Sequence, residues 1–141
     1  MLTGKLGKII FSRLLEGEDL SESIKKSADA NKIRAGVFIL IGTLKHAALG
    51  YYKDGKYETV QLDGPLEIAS CTGNVAVDEK GQVAVHAHIV VSNEKCAAYG
   101  GHLMSGSEVG ATAELVMVEA VDVDLQRTFD EKTKLKLWKL S

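Results

Sequence analysis

The sequence predicts a single α+β domain over residues 1–141: a mostly antiparallel, curled sheet of seven or eight strands with one main helix. Short runs rich in branched and aromatic residues alternate with turn chemistry, whereas one stretch alone has helical spacing. No repeat, low-complexity segment or linker divides the chain. Several runs are apolar on both faces, more surface than one helix covers, so the sheet either curls on itself or is covered by another subunit.

Gly7–Leu15 is the first strand, and Glu16-Gly17-Glu18 breaks it. Asp19 precedes Leu20-Ser21-Glu22 with capping-box spacing. Leu20, Ile24 and Ala28 then recur every four residues, which predicts a helix ended by Asn31 and Lys32. Acids near its start and Lys25 and Lys26 further along suit the helix dipole. Ile33–Leu44 is a central strand whose Gly36 and Gly42 mark bulges or close backbone approach. Asp54-Gly55 joins Leu49–Tyr52 to Tyr57–Leu62 as a hairpin. Gly64-Pro65 predicts a break, and Leu66–Val77 a strand interrupted at Gly73-Asn74. Ser105–Gly110 reads as a flexible polar loop, Ala111–Val123 as a long strand, and the alternating tail Lys134–Leu140 as an edge strand.

The apolar fraction of 45% and charged fraction of 26% exclude a disordered chain, and no apolar run reaches membrane-spanning length. A net charge of −2 gives no general drive toward nucleic acid or anionic membrane. Cys71 and Cys96, in no Cys-x-x-Cys pair, read as small core residues of a reduced, cytoplasmic protein, with a disulfide left open.

The chemistry concentrates in Gln82–Met104. Val83, Val85, Ala87, Ile89 and Val91 fall on one face of a strand, and His86 and His88 on the other. Ser92–Lys95 is a polar turn, after which Gly100-Gly101 allows close approach and His102 can return beside the pair. Three neutral imidazoles with one open position are a zinc-type ligand set, so His86, His88 and His102 are the candidate metal residues. The competing reading is a set of surface or interface histidines hydrogen-bonded within a second layer. Glu114, a lone charge in an apolar strand, is the candidate proton carrier, with Glu67 behind it; His46 stands apart and has no assigned role.

Further short pieces carry a resemblance in their order and spacing. They are Gly17-Glu18-Asp19-Leu20, Ala35-Gly36, Ile41-Gly42-Thr43-Leu44, Gly50-Tyr51-Tyr52, Gly64-Pro65-Leu66-Glu67-Ile68 and Ser70 through Gly73-Asn74. His86-Ala87-His88, Gly100-Gly101-His102-Leu103 and Thr112-Ala113-Glu114 complete the series. Nearly end to end, the chain resembles the PPC (plant and prokaryote conserved) domain family in its single-domain prokaryotic type. The resemblance implies a homotrimer, shared histidines at His86, His88 and His102, and regulation associated with DNA. In plant relatives the domain follows AT-hook motifs. This chain has no Arg-Gly-Arg-Pro hook, and its one proline is Pro65, so a DNA partner would be met without minor-groove arginines. Two function classes remain: a trimeric, DNA-associated or regulatory binding module with a metal or small-ligand site, and a metal-dependent enzyme acting on a small molecule.

Overall fold

Asp19 starts the helix as the spacing predicts. Its backbone is extended (φ −68°, ψ 123°), and its Oδ1 accepts the Glu22 amide at 3.0 Å. In this computed structural model, which describes residues 1–139, the chain runs β1 (Lys5–Leu14), α1 (Leu20–Ala30), β2 (Gly36–Lys53), β3 (Lys56–Val77), β4 (Val83–Ser92), β5 (Ala98–Leu103), β6 (Glu108–Val121), β7 (Arg127–Asp130) and β8 (Leu135–Trp138). Leu20, Ile24 and Ala28 are fully buried on α1. The helix ends at Asn31 and Lys32, the latter in the left-handed region at φ 57°. Its last turn holds no basic residue: Lys25 instead pairs with Glu22 at 2.6 Å in mid-helix, so dipole compensation comes from the acidic end alone.

Six strands form one antiparallel sheet in the order β1-β6-β2-β3-β4-β5. Two further pairs, Leu49 with Leu103 and Gly50 with His102, join β2 to β5 and curl that half toward a barrel. The inner face, with α1 against it, buries Leu40, Leu44, Val75, Ile89, Leu115 and Met117. β7 and β8 form a separate hairpin that the sequence reading did not separate; the predicted tail strand shrinks to Leu135–Trp138, and Leu140 lies outside the described residues. Among the described residues no helix is long and apolar enough to cross a membrane.

Three expected interruptions are absent. β2 runs unbroken through Leu44–Leu49, and β3 runs through both Gly64-Pro65 and Gly73-Asn74. Opposite Pro65 the ladder slips between Leu44 and His46, so the proline's missing N–H falls at a bulge and breaks no hydrogen bond of the regular ladder. Gly73 leaves room for the Phe38 ring, which a Cβ there would strike. Asp54 and Gly55 both take positive φ (51° and 83°), as a primed hairpin turn requires.

Nor is the segment before β6 a loose loop. Ser107 is fully buried and its Oγ accepts the Ala48 amide at 3.0 Å, while the Gly106 amide donates to Asp19 Oδ2 at 2.6 Å. Burial raises the Asp19 pKa, but hydrogen bonds from Gly106, Glu22, Ser21 and Ser105 outweigh it and hold the carboxyl below its ordinary value. Asp19→Ala should therefore cost about 1–2 kcal/mol at neutral pH, measured by chemical denaturation. The sign follows from the lowered pKa: the contribution is present above about pH 4 and fades as the pH falls through the folded-state value. The gap between parent and variant should narrow in acid and stay constant from pH 5 to 8.

Candidate metal centre

Alternation along β4 sends Ala87, Ile89 and Val91 into the core and leaves His86 half-buried and His88 exposed on the outer face. The turn that returns the chain is held by Asn93, whose Oδ1 accepts the Lys95 and Ala97 amides at 3.0 and 3.1 Å. Its left-handed position is Cys96 (φ 57°), which is exposed there rather than in the core as expected. Cys71 is buried as expected, and burial pushes its thiol up to about 12.

β5 then sets His102 directly opposite His88. A Cβ on Gly101 would lie 2.9 Å from the Gly50 carbonyl oxygen, so glycine there permits the close approach that carries His102 in. Ring centroids are 5.2 Å apart for His86–His88, 4.9 Å for His86–His102 and 5.8 Å for His88–His102. One nitrogen from each ring lies within 4.8 Å of the others. Tetrahedral ligands around zinc stand roughly 3.3 Å apart, so the set would close by about an ångström on binding an ion.

Burial favours the neutral, ligating form of two of the rings, while the positive charge of Arg127 opposes a bound cation as it opposes protonation. Burial first, then the charges of His86, His88 and Arg127, bring the His102 pKa down to about 4. Burial, Arg127 and His88 lower that of His86. Both rings are then neutral at pH 7 with a lone pair to offer. His102 Nδ1 is buried with no hydrogen-bond partner, and the ring stacks on Tyr57 at 4.4 Å and 24°. A buried imidazole with an unpartnered nitrogen, clustered with two more imidazoles, fits a divalent ion.

Neither carboxylate candidate joins this cluster within the chain. Glu114 is exposed on β6, paired with Arg13 and Ile41, with β2 and β3 between it and the histidine strand. Glu67 is exposed opposite Thr43 and Ser92. His46 lies 4.0 Å from Glu108, away from the other three. Beside the triad, under the β7–β8 hairpin, opens a cavity of about 440 Å³ lined by Tyr57, Asn74, Arg127 and Trp138 as well as His86 and His102. Sequence reasoning missed these four. Only the alternation of Leu135-Lys136-Leu137-Trp138 signalled a strand that could cover something.

The register also ties the site to the outer face of the sheet. One row crosses it as Phe11, Val116, Ile39, Thr72, His88 and His102, and the next as Ile9, Val118, Val37, Asn74 and His86. Phe11 is 78% exposed, and Ile9, Val37, Ile39 and Ile41 are each more than half exposed. The histidines thus lie one polar position, Thr72 or Asn74, from a contiguous apolar field.

A family model described as the Plants and Prokaryotes Conserved (PCC) domain matches residues 1–121. The chain belongs to this family. Solved structures of similar chains include a metal-containing protein from Archaeoglobus fulgidus, 32% identical, covering 99% of each chain with a TM-score of 0.90. A plant- and prokaryote-conserved protein from Pyrococcus horikoshii is 33% identical over 100% of this chain and 96% of that one, again with a TM-score of 0.90. A protein from Ralstonia eutropha JMP134, provisionally named as DNA-binding, is 25% identical over 93% and 90%, with a TM-score of 0.82. Among curated proteins the PCC domain here is 30% identical over 132 residues to the bifunctional protein GlmU of a Synechococcus strain; it spans 20% of that protein's length. The β7–β8 hairpin falls outside the 121 residues that define the match.

Proposed function

We propose that this PCC domain is a homotrimeric binding and regulatory module in which His86, His88 and His102 hold one divalent metal ion, zinc fitting best. The observation that carries the reading is the clustering of the three rings, one nitrogen of each within 4.8 Å of the others, together with a buried His102 nitrogen that has no hydrogen-bond partner. Three imidazoles suit zinc better than the oxygen-seeking calcium or magnesium. The metal-containing relative from Archaeoglobus supports the same reading. The ion would supply a Lewis-acid point with an open position for a ligand atom, while the apolar outer face supports self-association. DNA association comes from the likeness to the Ralstonia protein and fits a partner protein better than a groove contact, given the net charge of −2.

The cavity beside the triad favours a second reading, a metal-dependent enzyme for a small molecule. Glu114 could then serve as proton carrier only from a neighbouring copy, since it faces the same outer surface with two strands between it and the histidine strand. Metal analysis of protein purified without chelator or affinity tag tests the common premise. Near one equivalent per chain is expected. No metal, and no uptake on adding zinc, would remove both readings of the histidines.

A further inference from the structure

Arg127 opens the β7–β8 hairpin and is 8% exposed. Its Nη1 donates to the Lys136 carbonyl at 2.8 Å and its Nη2 to Asn74 Oδ1 at 2.7 Å, while its Nε–H is buried with no acceptor. Among the described residues no carboxylate pairs with it. A guanidinium stays charged, and a buried cation without a counter-charge is costly. Ala84, Val85, Leu135, Leu137 and Trp138 give the cavity an apolar wall, and Lys136 adds a second cation to its lining beside Tyr57, Asn74 and the two histidines.

We infer that this cavity binds a small organic acid, its carboxylate held by the Arg127 guanidinium and its apolar body lying against Leu137 and Trp138. The planar fork of one arginine matches one carboxylate, and about 440 Å³ suits a small molecule. A polyphosphate would bring more charge than Arg127 and one exposed lysine, Lys136, can pair. The inference rests on the proposed function only in placing a ligand beside the histidines. The carboxylate is bound by Arg127, so it does not require the ion.

Trp138 is the chain's one tryptophan, and the Arg127 guanidinium carbon stands 5.8 Å from its ring centre, so its emission reports on the cavity. Full-length protein, with its metal content measured in each sample, is titrated with benzoate and with benzyl alcohol, a neutral analogue of similar shape. Saturable change with benzoate is expected, weaker by at least about tenfold for the alcohol. Arg127→Gln should lose the benzoate response. Ala84→Phe, which narrows the cavity and leaves the groups that Arg127 bonds in place, should weaken it too; retained thermal melting shows that the variants fold. Equal response to the two probes, no saturable response to benzoate, or undiminished benzoate binding in Arg127→Gln would each overturn the inference. Benzoate binding in metal-free protein would leave it standing while the metal reading fails, and a metal-loaded protein blind to benzoate would do the reverse.

Discussion

Replacing His86 and His88 together by alanine is expected to abolish metal binding, with affinity for zinc down by more than about a hundredfold. That is the upper range for losing groups that only support a ligand, and here two of the three ligands themselves are removed. The fold should survive. Both side chains project from the outer face of β4, and the inward residues Ala87, Ile89 and Val91 that anchor the strand are untouched. The melting temperature of the metal-free variant should stay within a few degrees of the metal-free parent, because neither side chain is part of the core. Added zinc should raise the melting temperature of the parent and not of the variant, since only a ligand bound to the folded state stabilises it. A variant that still melted higher with zinc would place the ion elsewhere.

Ile39→Asp should convert the proposed trimer to single chains. Ile39 sits at the middle of the row from Phe11 to His102 and is 59% exposed, so an aspartate there is tolerated by the isolated chain. Inside a subunit contact the same carboxylate would be buried without a partner, at several kcal/mol per copy, and three copies compound the penalty. Light scattering should give a mass near three times the 15.2 kDa chain for the parent and near 15.2 kDa for the variant. A parent already monomeric would contradict the trimer. It would also leave the apolar field of Ile9, Phe11, Val37, Ile39 and Ile41 exposed with no explanation.

What the sequence made legible is what local pattern controls. The helix came from Asp19 and the four-residue recurrence of Leu20, Ile24 and Ala28, and the hairpin from Asp54-Gly55. The histidine face came from strict alternation in β4, and the meeting of His88 with His102 from a short turn between adjacent strands. Contacts set by distant partners were not legible. Pro65 reads locally as a strand end, and only the bulge between Leu44 and His46 on the neighbouring strand makes it harmless. Cys96 reads as a small apolar residue, yet the turn built by Asn93 needs it in the left-handed region in solvent. Ser105–Gly110 looks flexible because its composition is polar, whereas Asp19 and Ala48, far off in sequence, tie it down. Arg127 reaches the site through a hairpin whose first strand is four residues long, too short to show a period.

The central claim is that His86, His88 and His102 together hold one ion. The most direct test is X-ray absorption spectroscopy at the zinc edge on the zinc-loaded protein. The account predicts three imidazole nitrogens at about 2.0–2.1 Å and one further light atom completing a four-coordinate shell. A shell containing sulfur would place the ion at Cys71 or Cys96, and a shell of oxygens without imidazole would place it on carboxylates; either would contradict the claim.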